Sequence, residues 1–292
     1  MFDTILFPTD GSDGAEAAFE HVLDLAEAHD ATVYVLNVAD TARDSVTQIQ
    51  GQVIDTLERE GARVVRETAQ RASDRGVTTV TEVLQGEPYS TIVDYAAAND
   101  VDVVVMPTHG RRGLERFLLG STTERVIRRA DVPVLTLRPD DDVRVRYPYR
   151  NVLMPTDGSA TADAALDLAV DLTAAEDAGL HLLSVVDVTS LGIDVRADIA
   201  VESLEESAAD VVESATGTAT EAGVTPAETA VELGTSVARV VRSYVDDHDV
   251  DLVVVGTHGR TGFDRYVLGS VTEKLVRASP VPVLTVRGPA SS

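Results

Sequence analysis

Cysteine is absent from the 292 residues, which removes disulfide staples, thiolate zinc centres, iron–sulfur clusters and thiol catalysis together. Tryptophan is absent too, aromatic residues make up 4% of the chain, and lysine occurs once, at Lys274. The 24 basic residues face 49 acidic ones, a formal net charge of −25. A field this negative repels phosphodiester backbones and anionic lipid, so nucleic acid and membrane surfaces are excluded as general partners. No apolar run approaches the ~18 residues that a bilayer span needs. Met1-Phe2-Asp3-Thr4 enters a strand pattern with no basic leader, so the expected location is the cytoplasm. The acidic excess and scarce lysine are the composition expected of a halophilic protein in a salt-rich cytoplasm. A 44% hydrophobic content is enough for packed cores and excludes a disordered acidic chain.

What the chain does contain, it contains twice. Residues 108–138, THGRRGLERFLLGSTTERVIRRADVPVLTLR, align without a gap on residues 257–287, THGRTGFDRYVLGSVTEKLVRASPVPVLTVR, with 18 of 31 positions identical. Near the start of each half, Ile5-Leu6-Phe7-Pro8-Thr9-Asp10-Gly11-Ser12 is matched by Val152-Leu153-Met154-Pro155-Thr156-Asp157-Gly158-Ser159. The offsets are 149 and 147 residues, so the repeating unit is a whole domain of ordinary size rather than a solenoid repeat. The expected division is a first domain over 1–139, a charged, proline-bounded linker over 140–149, a second domain over 150–288 and a tail over 289–292.

Within each half, short β-branched runs alternate with longer helical patterns, which predicts an α/β fold with a parallel sheet. Strands are expected near 4–9, 32–38, 78–84, 102–107 and 134–138, and near 152–156, 180–186, 225–233, 251–256 and 283–287. Helical spacing covers 14–29, 43–75, 89–99 and 121–130 in the first half. Runs such as 101–106 and 252–255 show little polar alternation, as expected of strands covered on both faces.

Open sheets of this kind bind ligands beyond the carboxyl ends of their strands. Three features converge there: Asp10 and Asp157 after the first strand, Val38 and Val185 at the end of the second, and a glycine pattern after the fourth. In the second half that pattern is Val255-Gly256-Thr257-His258-Gly259, nine residues, then Gly269-Ser270-Val271-Thr272. Gly269-Ser270 opens a helix whose unpaired N–H groups and positive dipole end suit phosphate, with Ser270 and Thr272 as added hydroxyl donors. Four cations against two acids leave +2 over residues 256–279, and six against two leave +4 over 106–130, cationic islands in an acidic chain.

Plainer roles compete at each position. Ser270 could act as an N-cap, and Arg128, Arg129 and Arg277 could complement helix C-termini. Asp10 and Asp157 could satisfy their own turns. His109 and His258 have no neighbouring ligand types, so no metal site is expected. The P-loop GxxxxGK[ST], a GxGxxG after the first strand, HExxH and a Ser-His-Asp arrangement are all missing from the sequence.

These residues resemble the ATP-binding subset of the universal stress protein family, over nearly the whole chain as two tandem copies. The resemblance implies two doubly wound domains, each a five-stranded parallel sheet of order 3-2-1-4-5. It implies ATP, with Mg²⁺ or Mn²⁺, as the bound cofactor. Asp157 would then contact ribose and Val185 would meet adenine through its backbone, while Gly259, Gly269, Ser270 and Thr272 would hold the phosphates. In the first half Asp10, Val38, Gly110, Gly120, Ser121 and Thr123 remain, but Pro107 stands where the first motif glycine belongs. Proline has no N–H and fixes φ, so the second site is expected to bind more tightly than the first. The family also pairs through its last strand, which here implies an intrachain pseudo-dimer through residues 134–137 and 283–286, alongside any homodimer of chains.

Three functions follow as expectations. The first is a nucleotide-responsive stress regulator or sensor, not an enzyme beyond slow hydrolysis. The rivals are an interaction module that uses no nucleotide and an enzyme acting on a phosphorylated substrate.

Overall fold

The computed structural model describes residues 1–41, 52–110, 119–140, 142–189, 196–259 and 268–288. The chain divides into two compact units, Met1–Asp141 and Asp142–Ser292. In the first unit the strands are β1 (Thr4–Pro8), β2 (Thr32–Asp40), β3 (Thr79–Gly86), β4 (Val103–Pro107) and β5 (Val134–Leu137). The helices are α1 (Asp13–His29), α2 (Gln52–Asp74), α3 (Pro88–Ala98) and α4 (Ser121–Arg129). The strands run in the order β3-β2-β1-β4-β5, every pair parallel.

The second unit repeats this with β6 (Asn151–Pro155), β7 (Gly179–Asp187), β8 (Glu228–Gly234), β9 (Leu252–Gly256) and β10 (Val283–Val286). Its helices are α5 (Ala160–Glu176), α6 (Arg196–Glu221), α7 (Val237–Asp247) and α8 (Ser270–Ala278). The order is β8-β7-β6-β9-β10, again all parallel. The predicted fold class and strand order are therefore what each unit shows.

The apolar runs behave as covered strands should. Every residue of β4 and of β9 is buried, as strands flanked by helices on both faces require. In the first unit α1 packs on β1 and β4 and α2 on β2 and β3, while α3 packs against α4. Connections run outward from β1 through β2 to β3, then return to β4 and β5. The order thus reverses between β1 and β4, the crevice where such sheets take ligands. Ser12 and Ser159 start the helices that flank it, their hydroxyls accepting from Ala15 N–H at 3.3 Å and Ala162 N–H at 3.2 Å.

One detail differs from the sequence-based expectation. Strands β2 and β7 run to Asp40 and Asp187, beyond Val38 and Val185, because β3 and β8 continue to pair with them to the end. Helix α2 is described from Gln52, and residues 43–51 of its expected span lie outside the described residues. Residues of the expected linker make contacts within the second unit. Tyr149 is buried against the Tyr147 ring, Arg144 N–H donates to Pro280 O at 2.7 Å, and Tyr147 Oη donates to Glu176 at 2.7 Å. Removing that last hydroxyl with Tyr147→Phe is expected to cost the second unit about 1 kcal/mol, read as a lower urea midpoint with an unchanged slope.

Candidate functional site

The turn after the first strand is built alike in both units. Gly11 and Gly158 both have φ 69°, the left-handed region that glycine enters without a Cβ penalty. The turn brings Asp10 Oδ1 to 3.0 Å from Ser12 N–H and Asp157 Oδ1 to 3.1 Å from Ser159 N–H. One carboxylate oxygen thus serves the turn, as the plainer reading expects. The other lies against the glycine loop: a Cβ on Gly259 would stand 2.5 Å from Asp157 Oδ2, and one on Gly110 would overlap Asp10 Oδ2. The aspartate and the middle glycine of the motif, about 100 residues apart in sequence, are therefore immediate neighbours.

The second neighbour of this crevice is main chain. Along β7 the odd residues bond toward β6, since Gly179 N–H donates to Arg150 O and Leu183 O accepts from Thr156 N–H. Val185 lies two residues past the last β6 partner, Pro155. Its N–H and C=O consequently face the space beyond the end of β6. Val38 stands in the same relation to β1, two residues past the Pro8–Leu36 pairing.

The third element is the loop leading into α8. Gly269 N–H donates to Thr257 O at 2.7 Å, as Gly120 N–H does to Thr108 O at 2.7 Å. A Cβ on Gly269 would lie 3.1 Å from His258 Cα and 3.2 Å from Thr257 O, so glycine is there to let two backbones meet. Gly269 is itself the N-cap of α8 and supplies no capping side chain. The amides of Ser270, Val271 and Thr272 therefore have no acceptor within the helix, and they lie at its positive end. Ser270 is the first helical residue and exposed, so it is not the N-cap; Ser121 matches it on α4.

Two site residues take different roles from those expected. Thr272 is 3% exposed and its hydroxyl donates to Gly256 O at 2.7 Å; the Thr123 hydroxyl donates to Pro107 O at 3.0 Å. These threonines clamp the end of the fourth strand to the helix, and their hydroxyl protons are not directed at a ligand. Gly256, with Val255 buried before it at the end of β9, is also absent from the positive-φ glycines. It is required for space, since a Cβ there would lie 2.7 Å from Thr161 Cγ2. Thr161, at the second position of α5, was not visible as a site residue in the sequence.

Among the described residues, three cations of these islands form helix-surface pairs. Arg128 binds Glu124, Arg277 binds Glu273 at 2.7 Å and Arg125 binds Glu87 at 2.7 Å. Arg111, Arg112, Arg116, Arg260 and Arg265, half of the ten cations, lie outside the described residues. Lys274 does act near the crevice. Asp187 is held below the usual carboxylate range first by hydrogen bonds from Thr189, and then in part by the Lys274 charge. Thr161 Oγ1 lies 3.2 Å from His258 Nε2, and Thr257 Oγ1 lies 3.2 Å from its Nδ1. Among the described residues no three His, Asp or Glu are placed to hold a metal ion, and no helix is long and apolar enough to cross a membrane.

The comparisons agree with this doubled architecture. The model of the universal stress protein family matches residues 1–138 and again 148–287. A universal stress protein of Methanocaldococcus jannaschii is 37% identical over 141 residues, 47% of this chain and 83% of that one. Another, from Mycobacterium tuberculosis, is 30% identical over 239 residues, 79% of this chain and 78% of that one. The crystal structure of a universal stress protein from Archaeoglobus fulgidus shares the fold, with a TM-score of 0.75, 22% identity and coverage of 98% and 99%. The chain belongs to the universal stress protein family, with two copies of the family's domain in tandem.

Proposed function

We propose that this stress-response protein binds adenine nucleotide, ATP in the first instance, and acts as a nucleotide-responsive regulator or sensor. The observation that carries the reading is the uncapped N-terminus of α8, whose free amides open into the same crevice as Asp157 and the outward main chain of Val185. A phosphate tail fits the amides, a ribose hydroxyl fits the carboxylate, and the edge of a planar base fits the main chain of β7 beyond its last β6 partner. Mg²⁺ or Mn²⁺ would travel with the phosphate oxygens.

Turnover is expected to be slow. His258 has a hydroxyl partner at each ring nitrogen and Asp157 has one oxygen committed to its turn, so neither is poised as a base, and the P-loop lysine is missing. Residence in the cytoplasm, the pairing of Val134–Leu137 with Val283–Val286 within one chain, and a dimer of chains belong to the same proposal and rest on composition and family resemblance.

Ser270→Asp tests the reading. A carboxylate at the first position of α8 favours the helix through its dipole but opposes a bound phosphate. Titration calorimetry with ATP should show about fivefold weaker binding in the second unit, equivalent to about 1 kcal/mol, with no loss of thermal stability. Unchanged binding would remove the start of α8 from the site, and no binding by either protein would favour the module that uses no nucleotide.

A further inference from the structure

We propose that the first half is a full counterpart of the second in nucleotide binding, because Pro107 and its neighbours form a packing set that is the reciprocal of the one in the second half. This rests on the nucleotide reading above and extends it to two sites per chain.

In the second half the second residue of α5 is Thr161, and both strand ends that face it are glycine. A Cβ on Gly256 would lie 2.7 Å from Thr161 Cγ2 and 2.9 Å from its carbonyl oxygen. A Cβ on Gly288 would lie 2.5 Å from Thr161 Oγ1 and 3.0 Å from its Cα. A threonine here admits nothing larger than glycine at either position. In the first half the corresponding helix residue is Gly14, 147 residues earlier, and the facing residues are Pro107 and Pro139, each 149 residues earlier than its glycine. A Cβ on Gly14 would lie 3.0 Å from His109 O and 3.1 Å from Pro139 Cγ. One half sets a threonine against two glycines; the other sets a glycine against Pro139, with Pro107 at the position of the second glycine.

The proline therefore fills space that the helix has vacated. What the loop draws from this position is a carbonyl, which proline keeps: Pro107 O accepts from Thr123 at 3.0 Å as Gly256 O does from Thr272 at 2.7 Å. The closing bond of the loop is 2.7 Å in both halves. Gly110 meets Asp10 as Gly259 meets Asp157. The weaker first site expected from the proline alone does not follow from this geometry. The tie from Thr161 to His258 is the one element here that Gly14 cannot reproduce.

Equilibrium binding of ATP to the full chain should give two equivalents with dissociation constants within about tenfold, a span of about 1.4 kcal/mol. One equivalent, weakened about fivefold in Ser270→Asp, would overturn the inference and leave the proposed function standing; none would overturn the proposed function. Gly256→Pro should abolish the second equivalent, and adding Thr161→Gly should restore it. In the opposite direction, Gly14→Thr should abolish the first equivalent, and Pro107→Gly with Pro139→Gly should restore it. Failure of both restorations, whether the variants are folded or unfolded, would overturn the inference, since mutual fit requires the matched sets to fold and to bind.

Discussion

Lowering the pH from 7 to 4 is expected to cost the first half about 3 kcal/mol through one side chain, His21. It lies on α1, 2% exposed, and burial pushes its pKa down to about 4. The unfolded chain takes up a proton near pH 6.5 while the folded unit resists until about pH 4. The stabilisation is therefore complete above 6.5 and is lost progressively as the pH falls toward 4. At about 1.4 kcal/mol per pKa unit, this is a large fraction of the 5–15 kcal/mol typical of a domain. Protonation of the many carboxylates acts in the opposite direction by relieving self-repulsion, so wild type alone does not isolate the effect. His21→Leu does, and the second half carries Leu168 at the matching position. Urea unfolding at pH 7 and pH 4 should show the variant gaining about 3 kcal/mol on wild type at the lower pH. A difference independent of pH would refute the assignment. In the second half His181 is also held below its usual range, mainly by burial, with Glu228 opposing.

The fold was legible in the sequence because its signals are local. Runs such as Val103-Val104-Val105-Met106 are long enough and apolar enough to identify a covered strand without any partner. Asp10, Asp157 and the glycine pattern were legible because turn geometry demands particular residues. The meaning of Pro107 was not legible, because it is read together with Gly14 and Pro139, and Gly14 meets Pro139 only across packed elements far apart in sequence. Comparing the two halves could have exposed it: Gly14 opposite Thr161 and Pro139 opposite Gly288 change in the compensating sense. The threonines were misjudged for a related reason. A hydroxyl at the start of a helix suits a phosphate as well as it suits a strand-end carbonyl, and only the 2.7 Å contact from Thr272 to Gly256 separates the two roles. Asp102 and Asp251 passed as ordinary strand starts. Asp102 Oδ2 takes Asp3 N–H and Thr4 N–H at 2.8 Å each, and Asp251 Oδ2 takes Arg150 N–H at 2.9 Å and Asn151 N–H at 3.2 Å. No local pattern reveals such a staple.

Gly269→Val should weaken ATP binding in the second half by at least tenfold, about 1.4 kcal/mol, and leave the first half unaffected. The φ of Gly269 is −60°, open to any residue, so the penalty is steric. The added Cβ would stand 3.1 Å from His258 Cα and 3.2 Å from Thr257 O. The same residue's N–H holds Thr257 O at 2.7 Å, so the two backbones cannot separate without breaking the bond that closes the loop. The loop must shift as a body, carrying with it the aim of the helix amides at the phosphates. Gly269→Ala, with no γ-methyls, should fall between wild type and valine. The first half has slightly more room, with Cβ distances of 3.2 Å to Thr108 O and 3.4 Å to His109 Cα, so Gly120→Val should cost less. Salt then separates shape from charge. Molar salt shortens the Debye length to about 3 Å and should restore much of the affinity lost in Ser270→Asp relative to wild type. It should restore none of the affinity lost in Gly269→Val. If the two deficits respond alike to salt, the loop does not act by positioning those amides.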